Sequence, residues 1–154
     1  MSQKKIAVGC DHGGFILKEK LIPFLKKKGL AVLDVGTFSQ VSMDYPDTAI
    51  QVASAVAKKR AVYGLLICKS GIGNCIVANK VRGVRAALCY NKKAAELSRR
   101  HNDANVLVLG ALFVPFKRAR EIIDIWLKTS FEGGRHARRV RKIERIEKIC
   151  GCPS

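Results

Sequence analysis

The sequence predicts an α/β fold, a doubly wound five-stranded parallel sheet with helices on both faces, on three observations. Five compact apolar runs of strand length recur along the 154 residues, and each is followed by a stretch with apolar residues at helical spacing. Such alternation is the pattern of strand–helix–strand units, whose crossovers make neighbouring strands parallel. The third run, Val62-Tyr63-Gly64-Leu65-Leu66-Ile67-Cys68, opens into a glycine loop, Lys69-Ser70-Gly71-Ile72-Gly73-Asn74, and then a helix. Ligands of such sheets bind at the carboxyl ends of the strands.

Each element follows from its residues. Lys5-Ile6-Ala7-Val8-Gly9-Cys10 suits a buried parallel strand ending at Asp11-His12-Gly13-Gly14. Phe15, Leu17, Leu21, Ile22, Phe24 and Leu25 then mark a helix that stops at Lys28-Gly29, with Pro23 as a kink or irregular turn. Leu30 to Gly36 is the second strand, followed by a loop from Thr37 to Pro46 and a helix capped by Asp47 and running to about Lys59. The helix after the third strand ends near Val81. Gly83 to Cys89 is strand four, Asn91 caps a helix through Arg100, and Asn105 to Gly110 is strand five. A helix from about Pro115 to Lys128 holds Trp126. The last helix, from about residue 136 to 149, carries a narrow stripe of Val140, Ile143, Ile146 and Ile149 that suits packing on a partner subunit. The whole, residues 1–154, reads as one Rossmann-like domain, long enough to bury about two thirds of its unfolded surface.

Composition narrows the chemistry. No apolar run approaches the roughly 18 residues of a membrane helix, and Met1-Ser2-Gln3-Lys4-Lys5 leads directly into a strand, so a cytoplasmic protein with no membrane partner is expected. The six cysteines form no CxxC pair and no zinc-type arrangement with the three histidines, so neither a metal nor a disulfide framework is expected. Cys75 and Cys89 read as small buried hydrophobes, and Cys150-Gly151-Cys152 as an oxidisable tail. The net charge of +17 raises the question of nucleic acid, but the basic clusters are assigned to helix ends and no aromatic-interleaved basic motif occurs. Attraction of a small anionic metabolite, without specific nucleic-acid binding, is the expectation.

The loop Gly71-Ile72-Gly73 lacks the third glycine of GxGxxG, and the chain has no GxxxxGK[ST], so a single phosphate or oxyanion fits better than a nucleotide. No cofactor is expected. Asp11 and His12 follow strand one, Cys68 and Ser70 follow strand three, and His101-Asn102-Asp103 stands just before strand five. Arg135 and Arg139, at i and i+4, share a helix face able to grip a phosphate. Asp11 could equally cap the following helix, His101 could serve a helix dipole, and the two arginines could be ordinary surface. His101 ends a helix rather than a strand, which favours service in a neighbouring subunit's site over its own.

Gly9-Cys10-Asp11-His12-Gly13-Gly14, Asp44-Tyr45-Pro46, Ile67-Cys68-Lys69-Ser70-Gly71-Ile72-Gly73, Ala78-Asn79-Lys80, Arg100-His101-Asn102-Asp103-Ala104-Asn105 and Gly133-Gly134-Arg135-His136 resemble the B-type ribose-5-phosphate isomerases, a family that also includes galactose- and allose-6-phosphate isomerases. The resemblance spans nearly the whole chain. It implies a metal-free, cofactor-free aldose–ketose isomerase that works through a cis-enediol(ate), in a homodimer or a tetramer of such dimers. Cys68 would be the base, with Ser70 hydrogen-bonding near its sulfur and backbone N–H groups of Lys69, Ser70, Gly71, Ile72 and Gly73 holding the enediolate. Asp11 and His101 would assist ring opening, His101 across the dimer interface. Asn102 and Tyr45 would contact the sugar, and His12, Arg135 and Arg139 the phosphate. One subgroup of similar proteins uses a glutamate just after the last loop glycine, where this chain has Asn74.

Two positions depart from that pattern. Lys69 stands where the family usually has glycine, and Gly110-Ala111-Leu112 replaces a Gly-x-Arg whose arginine helps bind phosphate. Lys69 is expected to restore the lost charge or to lower the Cys68 thiol, as would the helix N-terminus. The substrate implied is ribose 5-phosphate, with a hexose 6-phosphate or a non-catalytic binding protein as the alternatives.

Overall fold

The computed structural model describes residues 3–150. In chain order its elements are β1 (Lys5–Cys10), α1 (Phe15–Lys27), β2 (Ala31–Asp34), α2 (Tyr45–Ala57), β3 (Tyr63–Cys68), α3 (Ile72–Ala78), β4 (Ala86–Leu88), α4 (Lys92–Asn102), β5 (Val106–Gly110), α5 (Phe116–Lys128) and α6 (Gly134–Cys150). The strands make one five-stranded sheet, all parallel, in the order β2-β1-β3-β5-β4. This is the Rossmann-like, doubly wound architecture that the alternation predicts. From β1 the chain moves outward to β2 and then returns to the other side of β1 as β3. The two crossovers therefore part between β1 and β3, opening a crevice at their carboxyl ends.

Period-two side-chain alternation builds two cores on the one sheet. Ile6, Val8 and Cys10 of β1, Leu65 and Ile67 of β3, and Leu107 and Leu109 of β5 face α1, α4 and α5, where Leu21, Leu25, Ile122, Ile123 and Trp126 fill the layer. Ala7, Leu66, Val106 and Val108 face α2 and α3 on the opposite side. Residues there are small because α2 lies close: a Cβ at Gly9 or at Gly64 would stand 2.8 Å from a Val52 methyl. Cys68 shares the parity of Leu66, so its side chain belongs to this tighter α2/α3 face.

Several boundaries differ from the sequence reading. Asp44, not Asp47, is the N-cap of α2, so Tyr45 and Pro46 lie in the helix's first turn, where a proline costs no backbone bond. Asp47 still stands in that turn, on the favourable side of the helix dipole. Asn91 does cap α4, accepting the Ala94 N–H at 2.8 Å, but the helix runs on to Asn102. α1 passes through Pro23 unbroken, because the missing N–H leaves only the carbonyl of the exposed Glu19 without its partner. α6 begins at Gly134, and of its stripe only Val140 is buried while Ile143, Ile146 and Ile149 are exposed. Lys92-Lys93 and Lys117-Arg118 sit at the N-terminal ends of α4 and α5, so they oppose the dipole rather than complement it. Cys89 is buried as expected, Cys75 is only half-buried, Cys150 is exposed at the end of α6, and Cys152 lies outside the described residues. Among the described residues no helix is long and apolar enough to cross a membrane.

One charge is wholly enclosed. Lys18 of α1 is 0% exposed, with its Nζ 2.6 Å from Asp34 at the end of β2, 3.1 Å from Glu19 and 5.0 Å from the centre of the Phe38 ring. Asp34 also accepts the Gly36 N–H at 3.0 Å, which fixes the start of the loop leading to α2. Because an unpaired buried ammonium is far costlier than a buried pair, Asp34→Ala is expected to lower the unfolding free energy by about 3 kcal/mol in urea titrations. Lys18→Met removes the charge along with the pair and is expected to cost less.

Candidate active site

The crevice between β1 and β3 is lined by the two turns that leave those strands. Asp11 follows β1, is 7% exposed, and accepts the Gly14 N–H at 3.0 Å, so it braces the start of α1 while facing the crevice. Gly14, not Asp11, is the N-cap of α1, so Asp11 supports the helix from the turn before it. His12, exposed beside it, accepts the Met43 N–H on Nδ1 at 3.2 Å, which ties the turn after β1 to the loop before α2. That loop delivers Tyr45. The Tyr45 ring lies over Gly73 so closely that a Cβ there would stand 2.5 Å from the ring, so a side chain at the second loop glycine would displace Tyr45.

The turn after β3 folds around the sulfur. Gly71 adopts φ +87, a left-handed conformation that glycine supplies without strain, and this reversal aims its N–H at Cys68 Sγ, 3.1 Å away. The N–H groups of Asn74 and Ser70 act on the same sulfur. The Ser70 hydroxyl does something else. It accepts the Ile72 N–H at 3.2 Å, so the serine's influence on the thiol runs through its backbone rather than its side chain. Tyr90, which the sequence reading passed over, pins the loop by donating its hydroxyl to the Ser70 carbonyl at 3.0 Å. Its position directly after strand four was the available signal.

Electrostatics at the thiol run against the expectation of a lowered pKa. Cys68 is 5% exposed, and burial pushes the thiol above its ordinary value; the Gly71 and Asn74 N–H groups pull it down, the Asp11 carboxylate raises it again, and the Ser70 N–H lowers it. The sum is a raised thiol. Lys69 is exposed and is not among the groups that set it. It does adjoin the other departure from the family pattern, because the Leu112 N–H donates to the Lys69 carbonyl at 3.0 Å and Leu112 itself is 64% exposed. The lost and gained cations are spatial neighbours.

The remaining candidates lie elsewhere. His101 and Asn102 occupy the last turn of α4, a helix antiparallel to the strands, and so fall at the amino-terminal edge of the sheet. The Arg85 Nε, just before β4, bonds the Asn102 carbonyl at 3.0 Å. Arg135 and Arg139 start α6 on the same side, next to His101 through His136. The length of β5 alone separates the two groups by roughly 16 Å at ~3.3 Å per residue. Within a single chain the candidates therefore fall into two groups, as the place of His101 at a helix end suggested: Asp11, His12, Tyr45, Cys68, Lys69, Ser70, Gly71, Ile72 and Gly73 gather at one edge, and His101, Asn102, Arg135 and Arg139 at the other. The second group includes a donor set for a divalent metal, since ligand atoms of His101, Glu132 and His136 lie within 4.8 Å of one another. Yet Arg100 already holds the Glu132 carboxylate at 2.9 Å and Arg135 stands on the His136 nitrogen, so a dication would have to displace two cations.

A parallel sheet whose switch-point crevice encloses a thiol beneath converging N–H donors defines a class of α/β proteins that handle a small anionic ligand. The particular family follows from comparison. The Ribose/Galactose Isomerase model matches residues 6–143, and the chain belongs to that family. It is similar to ribose-5-phosphate isomerase B of Escherichia coli strain K12, 49% identical over 94% of this chain and 97% of that one. Among solved structures, ribose-5-phosphate isomerase B of Clostridium thermocellum superposes with a TM-score of 0.93 at 51% identity, covering 94% of this chain and 98% of its own. Ribose-5-phosphate isomerase B of Mycoplasma genitalium, solved with bound ribulose-5-phosphate, gives 0.92 at 44% identity, covering 96% and 99%.

The two opposing influences on the thiol can be separated. Asp11→Asn removes the carboxylate that raises Cys68, so alkylation of Cys68 by iodoacetamide at neutral pH is expected to speed up, with the midpoint of its pH profile moving down. The rate would be read by mass spectrometry of the Cys68 peptide.

Proposed function

We propose that this chain is a ribose-5-phosphate isomerase, interconverting ribose 5-phosphate and ribulose 5-phosphate through a cis-enediolate, as a single catalytic domain assembled into homodimers. The observation that carries the reading is Cys68, buried at the end of the central strand with Gly71 N–H on its sulfur. The names of the similar proteins support the substrate. In the forward direction the Cys68 thiolate takes the C2 proton of the opened aldose. The electron pair left behind forms the C1–C2 double bond, and the carbonyl oxygen becomes the enediolate oxygen. A proton then passes from the C2 hydroxyl to the C1 oxygen, the thiol returns its proton to C1, and an electron pair of the C2 oxygen forms the ketose carbonyl as the C1–C2 double bond is lost. A base kept weakly acidic by burial holds a proton strongly enough for this exchange, while the N–H groups stabilise the thiolate state that starts it.

Developing negative charge on the substrate oxygen would meet the Gly73 N–H, which lies in the first turn of α3 and is not used by the helix. Lys69, Ile72 and Tyr45 would line the sugar side. His12 would meet the phosphate, and Asp11 one oxygen of the furanose. The other requirements, a ring-opening acid–base group and cations for a phosphate dianion, are met by His101, Asn102, Arg135 and Arg139 once a second copy supplies them. Such a protein needs no metal and no cofactor, works in the cytoplasm, and has a phosphosugar rather than nucleic acid or membrane as its ligand. A hexose 6-phosphate is the second reading, which rests on Leu112, exposed where the family pattern has a phosphate-binding arginine.

Cys68→Ala and His101→Ala should each abolish isomerisation of ribose 5-phosphate, in the presence of chelator, by at least about a thousandfold. If the two halves come from different copies, unfolding and refolding an equimolar mixture of the two inactive variants should recover about a quarter of wild-type activity, because half the dimers are mixed and each has one intact site. A mixture that stays inactive would mean that the halves do not meet across an interface. Equal assays on allose 6-phosphate and galactose 6-phosphate decide the chain length.

A further inference from the structure

His136 has no task in this reading, although it is the most enclosed side chain of its group at 3% exposure. Its ring lies flat on that of His101, with centroids 4.1 Å apart and planes within 7°. Its Nε2 faces the Nε–H of Arg135 at 3.4 Å, a long but directed bond. Glu132 spans both rings: one carboxylate oxygen is 3.8 Å from His136 Nε2, the other 3.9 Å from His101 Nε2, and the latter also holds Arg100 at 2.9 Å.

These contacts bear on the proton affinity of the buried ring. Burial lowers its proton affinity, His101 lowers it further, Glu132 opposes, and Arg135 and Arg139 add to the lowering. A neutral imidazole stacks on a neighbouring imidazole without charge repulsion. Its Nε2 accepts the Arg135 N–H, which in the neutral ring places the proton on Nδ1.

Resting on the isomerase reading above, we infer that His136 is a positioning residue for the donated half of the site: its ring face sets the His101 imidazole and its Nε2 sets the Arg135 guanidinium. One enclosed side chain thereby couples the ring-opening group to the phosphate clamp. The two groups it touches would otherwise be a half-exposed histidine and an arginine with several rotatable bonds, whose ordering at each encounter would cost affinity and rate.

Two variants split the two duties. His136→Phe keeps a flat ring and drops the acceptor; His136→Gln keeps an acceptor and drops the ring. Both are compared with wild type and His101→Ala as full-length protein, by kinetics on ribose 5-phosphate, calorimetric binding of inorganic phosphate, thermal midpoint and sedimentation. His136→Phe should raise KM and the inorganic phosphate Kd about tenfold with kcat within about twofold, and His136→Gln should lower kcat about tenfold with KM within about twofold. In NMR spectra the His101 ring protons, shielded by the stack, should move downfield in His136→Gln and stay in place in His136→Phe. Wild-type constants in both variants would overturn the inference, as would parallel losses of kcat, KM and thermal midpoint in both, which would mark a packing role alone. A wild type inactive on ribose 5-phosphate would instead sink the isomerase reading. The phosphate affinities and the His101 resonances would then still decide whether His136 holds its two neighbours.

Discussion

All five strands run parallel, and that constraint decides where chemistry can stand on this chain. Every strand-to-helix turn opens at one edge of the sheet and every helix-to-strand turn at the other. Asp11, Cys68 and the glycine loop end strands, so they meet in one crevice. His101 ends a helix and Arg135 begins one that starts on the same side, so they gather at the opposite edge. No rotamer change bridges the length of the strands. A reaction needing both groups needs two chains, and the interface is then part of the catalyst rather than an addition to it.

The same geometry accounts for the character of the thiol. α2 packs so closely on its face of the sheet that Gly9 and Gly64 have no room for a methyl group, and Cys68 at the end of that face is buried with them. Enclosure of this kind penalises the thiolate, and the turn answers with N–H groups aimed at the sulfur, Gly71 foremost. Neither effect is removable alone. Exposing the sulfur would lower its proton affinity but let water compete for the enediolate, whereas removing the N–H fan would leave the buried anion without partners.

What the sequence conveyed, it conveyed through periodicity and punctuation. All eleven elements were legible, because strand runs, glycine stops and the Asn91 cap are local signals. The crevice group was legible too, since residues that end parallel strands must share an edge. Less accessible were facts that depend on orientation. Asp47 and Asp44 are three residues apart and equally good caps on paper; the conformation of Asp44 and the place of Pro46 in the first turn settle the choice. Ser70 was placed near the sulfur, but which of its groups points there depends on a turn closed by the left-handed Gly71. The direction of the Cys68 shift reversed because burial, which a sequence only hints at, outweighs a helix terminus of seven residues. His136 stood in view inside a quoted motif, yet nothing in the spacing of residues 101 and 136 announces a ring stack.

The charge of +17 looks different once placed on the fold. Lys92-Lys93 and Lys117-Arg118 stand at helix N-termini, where each pays against the dipole, and α6 carries Arg135, Arg138, Arg139, Arg141, Lys142, Arg145 and Lys148 against Glu144 and Glu147. Lys26 and Lys27 in the last turn of α1 and Arg99 and Arg100 in that of α4 do complement a helix dipole, but this second distribution does not arise from helix stabilisation. It creates a long-range positive field that favours a phosphate dianion on approach and opposes a second copy of the same chain. In the homodimer proposed above, contact between copies would therefore rest on short-range apolar surface, for which Ile72, Ile76, Ile143, Ile146 and Ile149 are exposed. Salt would then act on the two events in opposite directions: it would screen the repulsion between copies and equally screen the attraction of the substrate, leaving apolar contact between copies intact.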